Sequence, residues 1–337
     1  MRRSLLRLSI PLRQPFVTAG GVVQSRELVV IRLEDDDGTL GFGEAAPLEP
    51  YDGISVDDVW EALREGPPAR DAPPQARAAW EMAELDLQYR RRGTPLGELG
   101  PDAIPVNKTL AAGPPDETAA AAREGVRAGY SCFKVKVGLP DDRDRVAAVR
   151  EEVGSWPALR LDANGAWTPE EAVARIEELS PYDLQLVEQP CVGLDELAQV
   201  RPRVEVPVAA DEPIAGVDDV RRAAQAGACD VINVKLAGSG GYLPARETVR
   251  EAERQGLRAY LSSTLDGPWG IAAALQLAAA EGISLACGLG TLELFDARIA
   301  RALGPPRHGL LTVPQGPGLG VEVDPADLDA VTIDRVD

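Results

Sequence analysis

Three carboxylates and three lysines stand at chemically telling places in this 337-residue chain. Three short apolar runs end in Leu161-Asp162-Ala163-Asn164-Gly165, Val187-Glu188-Gln189-Pro190 and Ala210-Asp211-Glu212-Pro213, and two others carry Lys134-Val135-Lys136 and Asn233-Val234-Lys235. If the runs are neighbouring strands, Asp162, Glu188 and Asp211 reach one rim with lysines on either side. Three close carboxylates repel one another and resist ionisation unless a cation joins them. An all-oxygen donor set suits a hard ion, Mg2+ above all, with Mn2+ as a substitute. Side chains alternate along a strand, so Lys134 and Lys136 point the same way. An amine can lose its proton, whereas a guanidinium effectively never does. The chain holds 31 arginines and only four lysines, Lys108, Lys134, Lys136 and Lys235, all within or at the end of apolar runs. A coding bias would explain the arginines but not the placement of the lysines. The combination suits abstraction of a weakly acidic proton next to a carboxylate, with a metal clamping the developing oxyanions and a lysine taking the proton.

Such residues converge only if the runs line one wall. The apolar runs fall at 104–110, 132–137, 159–162, 184–187, 206–210, 231–236, 257–261 and 283–287, with starts roughly 22 to 28 residues apart and helical spacing between them. Eight such units predict an α/β fold, a (β/α)8 barrel whose site lies at the C-terminal strand ends. A doubly wound open sheet is the alternative, but no GxGxxG follows a first strand. Before the barrel, strands at 27–34 and 39–45 flank the turn Asp35-Asp36-Asp37-Gly38, and helical patterns follow at Val56–Arg64 and Pro74–Arg92. The expected layout is an α+β capping domain over 1–100, a barrel over 101–296, and a Gly- and Pro-rich tail, 297–337, packing back onto the cap.

Composition narrows the class. Lys+Arg is 35 against Asp+Glu 54, a net charge of −19, which argues against a nucleic-acid partner. The single histidine, His308, leaves no material for a His-based triad or a zinc site built on histidine pairs. Cys132, Cys191, Cys229 and Cys287 lack a CxxC spacing and read as reduced, idle thiols of a cytoplasmic protein. No apolar stretch approaches 18 residues, so no membrane span is expected, and the N-terminal segment reads as a strand rather than a leader.

The motifs KVK, LDANGAW, VEQP, ADEP and NVKLAGSGG, with GFGEAAPLEPYDG in the cap, resemble the enolase superfamily in its muconate-cycloisomerase-like subgroup. The resemblance spans nearly the whole chain. It implies Asp162, Glu188 and Asp211 as Mg2+ ligands and Lys136 as the acid/base. It implies Lys134 as a partner that favours the neutral base and contacts the substrate carboxylate, and Lys235 as the lysine of the opposite face. Dipeptide epimerases of the subgroup carry a DxD motif after the eighth strand, where this chain reads Cys287-Gly288-Leu289-Gly290-Thr291. The short cap, Ser262-Ser263-Thr264 and CGLGT look most like the o-succinylbenzoate synthases of actinobacterial type. That branch implies a lyase: syn-dehydration of 2-succinyl-6-hydroxy-2,4-cyclohexadiene-1-carboxylate through an enediolate, toward menaquinone. The same resemblance puts Asn164, Ser262, the Gly288 backbone and Arg26 on the substrate. It also makes 18–26 a loop that closes over the site, with Gly20-Gly21 lending freedom.

Lys108 departs from the pattern, and its role stays open between barrel wall and extra anion contact. The expected partner is a small dianionic carboxylate, with a monomer favoured over an oligomer. N-succinylamino-acid racemase, dipeptide epimerase and cycloisomerase are the alternatives within the superfamily. From other classes, a Schiff-base aldolase on Lys235 leaves three carboxylates unexplained, and a non-catalytic barrel predicts no loss of function in Lys136→Ala.

Overall fold

A computed structural model describes residues 1–18, 21–97 and 100–337. Three antiparallel strands open the chain: β1 (Arg2–Thr18), β2 (Gly21–Glu34) and β3 (Leu40–Ala45). Of the expected loop 18–26, residues 21–26 belong to β2, which pairs with β1 out to Thr18 opposite Gly21. Gly20 of the expected hinge pair lies outside the described residues.

β2 is apolar on both sides, and each side has its own use. Leu28 and Val30 join the main core, while Val29, Ile31 and Leu33 pack on Val59, Trp60 and Leu63 of the helix Val56–Arg64. The helix Pro74–Arg92 lies directly on β3. A Cβ at Gly43 would sit 1.8 Å from the Ala79 carbonyl oxygen, so a side chain there would push the helix off the sheet. That close approach accounts for the glycines of GFGE.

Beyond the short β4 (Ala103–Pro105), seven parallel strands curl into the barrel wall: β5 (Lys108–Leu110), β6 (Cys132–Lys136), β7 (Ala158–Asp162), β8 (Leu184–Glu188), β9 (Val208–Ala210), β10 (Val231–Val234) and β11 (Arg258–Leu261). The expected eighth strand at 283–287 shrinks to two parallel bridges, Val106 with Cys287 and Ser262 with Gly288, which close the ring. Its first residue is claimed elsewhere, since the Ile283 amide donates to Ala278 at the end of the preceding helix. The expected first run, 104–110, divides at Val106. Its first half, β4, pairs antiparallel with β12 (Leu310–Thr312), and β13 (Thr332–Val336) pairs antiparallel with β1. Among the described residues, no helix is long and apolar enough to cross a membrane.

The antiparallel sheet is latched to the barrel by buried polar groups. Glu44 of β3 accepts from the Gly267 amide at 2.5 Å, at the head of the helix Pro268–Ala280, buried through Ala279. Burial, and then the charge of Asp266, push the Glu44 carboxyl up to about 8. A carboxyl raised above its unfolded value stabilises the fold at low pH, and that contribution is lost as pH climbs from the unfolded value to about 8. Tm should therefore fall as pH rises across this window. Glu44→Gln should flatten part of the slope, worth on the order of a few kcal/mol. Parallel melting curves of the two proteins between pH 5 and 9 check it, and unchanged slopes would refute it.

Candidate active site

The C-terminal ends of the barrel strands and the antiparallel sheet enclose a cavity of about 280 Å3. From the barrel come Lys134, Lys136, Asp162, Asn164, Glu188, Asp211, Lys235, Ser262 and the Gly288 backbone. From the other side come Phe16, Val22 and Val23 of the β1–β2 ribbon, and Leu48, Pro50 and Tyr51 that follow β3. Strand register explains the convergence. Lys136 lies opposite Asp162, and Asp162 opposite Glu188, so acid and base groups occupy one layer of the wall.

The charges are densely paired. Lys136 Nζ stands 2.7 Å from Asp162 Oδ2 and 2.6 Å from Asn164 Oδ1. Lys134 Nζ reaches Asp162 at 2.9 Å and both oxygens of Glu188 at 3.1 Å. Burial alone would pull the Lys134 ammonium down, but Asp162 and Glu188 outweigh it and its pKa is raised. Its charge is thus met by two carboxylates rather than left to act on Lys136 alone. Asp162 shows the converse: burial disfavours its charge, yet Lys134 and Lys136 hold it well below the usual carboxylate range. Glu188 is shifted upward by burial and then by Asp162. Across the cavity, with three strands between, Lys235 pairs with Asp211 and donates to Tyr51 Oη at 2.7 Å.

The donor set suits a hard divalent ion. Asp162, Glu188 and Asp211 are 1%, 0% and 4% exposed, all oxygen, and set on three adjacent strands. Glu188 is raised first by burial and then by Asp162 and Asp211, and a bound cation would oppose both effects. Among the described residues, no three acidic or sulfur groups already face a common ligation point. Lys134 and Lys136 ammonium groups lie against Asp162, and Lys235 lies against Asp211.

One expectation needs correction, and the open role of Lys108 is narrowed. Arg26 does not line the cavity, because its guanidinium donates to the Pro47 carbonyl at 2.8 Å and the Ala46 carbonyl at 3.1 Å. It shapes the segment that carries Tyr51 and touches no ligand space. Lys108 is no anion contact: it pairs with Glu293 and lies 5.6 Å over the Tyr130 ring. Tyr51, Glu212, Thr264 and Thr291 also line the cavity, beyond the site residues that the sequence singles out. Glu212 directly follows Asp211 in the ADEP motif. Burial, and then the Asp211 charge, raise it to about 8, and it accepts from Asn164 Nδ2 at 3.0 Å. All four thiols are free and buried, and burial raises the pKa of each.

The enolase C-terminal domain-like family matches residues 117–327, well over half of the chain. The protein belongs to the enolase superfamily. An o-succinylbenzoate synthase from Thermobifida fusca is 36% identical over 311 residues, covering 90% of this chain and 86% of that one. An L-Ala-D/L-Glu epimerase from Clostridium acetobutylicum is 32% identical over 305 residues, 82% of this chain and 85% of that one. Among solved structures, a dipeptide epimerase from Enterococcus faecalis, complexed with Mg and the dipeptide L-Leu-L-Tyr, superposes with a TM-score of 0.87. It is 28% identical and covers 96% of this chain and 99% of that one. The barrel and its lid of antiparallel strands are thus a superfamily fold, and members with different reactions lie at similar distances.

Proposed function

We propose that this enolase-superfamily enzyme is an o-succinylbenzoate synthase that eliminates water from 2-succinyl-6-hydroxy-2,4-cyclohexadiene-1-carboxylate. One observation carries the choice of reaction. The acidic residues lining the cavity are Asp162, Glu188, Asp211 and Glu212, all at the ends of β7, β8 and β9. The opposite side, after β11 and at the closing bridges, offers the hydroxyls of Ser262, Ser263, Thr264 and Thr291 and the backbone of Gly288. Hydroxyl and amide groups suit a carboxylate-bearing arm. Among the described residues no carboxylate lines that side for a dipeptide's ammonium to meet, since Asp266 lies behind Thr264, whose hydroxyl donates to it. Gly288 also keeps the surface open, since a Cβ there would meet Ser262 Cβ at 2.8 Å.

Asp162, Glu188 and Asp211 would hold Mg2+, or Mn2+ in its place, and the ion supplies electrostatic stabilisation of the enediolate oxygens. The rest of the work falls to side chains of this chain. Lys136 removes the proton α to the carboxylate, and the same ammonium protonates the hydroxide that leaves from the same face. Lys235, held by Asp211 and Tyr51, stays cationic beside the developing negative charge. Asn164 orients Lys136 through its side-chain oxygen. The apolar Phe16, Val22, Leu48 and Leu265 exclude water from the ring. Within menaquinone biosynthesis this step would be cytoplasmic and need no macromolecular partner.

A second reading rests on the lysine pair. Lys136 and Lys235 both reach the cavity from separate sides, which is the minimum for moving a proton from one face of an N-succinylamino acid to the other. Assay of the purified chain against the cyclohexadiene carboxylate, N-succinylamino acids and dipeptides separates the readings. Dehydration should show the highest kcat/KM, and a higher value for any racemisation or epimerisation would sink the synthase assignment.

A further inference from the structure

Beneath the cavity the barrel interior carries polar groups that the reaction does not touch. Arg160 lies two residues before Asp162 on β7 and is fully buried. Its Nε donates to Gln185 Oε1 at 2.6 Å and its Nη1 to the Ala286 carbonyl at 2.7 Å, while Nη2 has no partner. Among the described residues no carboxylate pairs with this guanidinium. A buried, unpaired cation is costly, so its position asks for a reason. The guanidinium carbon sits 5.0 Å over the ring of Tyr260, itself 0% exposed. The Tyr260 hydroxyl donates to Glu188 Oε2 at 2.6 Å. Glu188 has other donors, Lys134 Nζ at 3.1 Å to both oxygens and Asn233 Nδ2 at 3.0 Å. Lys134 lines the cavity and is shared with Asp162. Asn233 is shared too, because its side-chain oxygen accepts from Ser262. Tyr260 is the one among them whose hydroxyl serves Glu188 from below the cavity floor.

We infer that Tyr260, clamped by Arg160 stacked on its ring, is a positioning residue that fixes the Glu188 carboxylate in its metal-ligating orientation. The inference rests on the metal site proposed above. Groups that orient a metal ligand typically contribute about 10–100-fold to metal affinity. Tyr260→Phe keeps the ring and its stacking and removes the hydroxyl alone.

The test is Mn2+ titration of the full chain, reading free Mn2+ by electron paramagnetic resonance, with Tm measured on the same samples. Tyr260→Phe should weaken Mn2+ binding about 10–100-fold while Tm changes little. Phe133→Leu serves as the control for general loosening, because Phe133 packs on the outer side of β6 against Gly125. It should lower Tm and leave the Mn2+ affinity where it was. Wild-type affinity in Tyr260→Phe overturns the positioning role and leaves the metal site standing. An equal loss of affinity in Phe133→Leu also overturns it, since loosening alone would then suffice. Absence of Mn2+ binding by the wild-type chain, matched by Asp211→Asn, overturns both the metal site and the role built on it.

Discussion

Lys136→Arg is expected to abolish dehydration, with kcat falling by about 10²–10⁴-fold or more, the usual contribution of a general acid/base. The replacement keeps the positive charge beside Asp162 and Asn164 but removes the ability to give up a proton. A syn elimination needs a single acid/base group, so no other side chain makes good the loss. Lys235→Arg should behave differently. In the proposed mechanism Lys235, in contact with Asp211 and Tyr51, serves as a fixed charge, and an arginine that fits the space preserves that charge. The variant should keep measurable dehydration while losing any racemisation of N-succinylamino acids, which needs a proton acceptor on each face. Solvent deuterium exchange at the α-carbon reports the proton step directly. Near wild-type elimination in Lys136→Arg, or exchange that depends on Lys235 instead, would show the one-base assignment to be wrong.

Chelation should be nearly as damaging. EDTA should remove activity and Mg2+ or Mn2+ should restore it. Asp211→Asn should lower kcat by at least about 10²–10³-fold, the scale for removing one preorganised electrostatic contact to a developing oxyanion. Asp211 also braces Lys235, so the loss of activity alone is ambiguous. A parallel fall in Mn2+ affinity assigns it to the metal. Activity that survives chelation and is trapped by borohydride with substrate would point to a Schiff base on Lys235 instead.

Much of this site was legible because chemistry and strand period coincide. Lys136, Asp162, Glu188, Asp211 and Lys235 lie at or just beyond strand ends and Lys134 lies two residues before one, where a two-residue repeat tells which side chains share a face. The parallel barrel was legible for the same reason, since each unit carries its own apolar run and its own helix. What stayed hidden depends on partners remote in sequence. Lys108 finds Glu293, 185 residues away, and Tyr51 finds Lys235, 184 residues away. Neither spacing has a period. The division of the first run at Val106 follows from β12, whose pairing with β4 no local pattern announces. The place of Arg26 came from the resemblance alone, and nothing local in the sequence announces its acceptors, the Ala46 and Pro47 carbonyls. Arg160 and Tyr260 carried a usable signal: each precedes a cavity residue by two positions, Asp162 and Ser262, which puts them one layer deeper in the same wall.

The pairing of β13 with β1 sets an order of events on the ribosome. Leu5 lies opposite Val336, so 331 residues must follow it before the outer edge of β1 can be covered. At an elongation speed of about 5–20 residues per second, that edge stays open for roughly 15–70 s. The parallel barrel can close earlier, because its last bridge needs only Gly288. A nascent chain therefore passes through a stage with a finished barrel and a naked sheet margin, the feature most prone to strand addition by a neighbouring molecule. Slow codons anywhere between Leu5 and Val336 would lengthen the time for which that edge is bare, and those in the last fifty positions would do so with the barrel already closed.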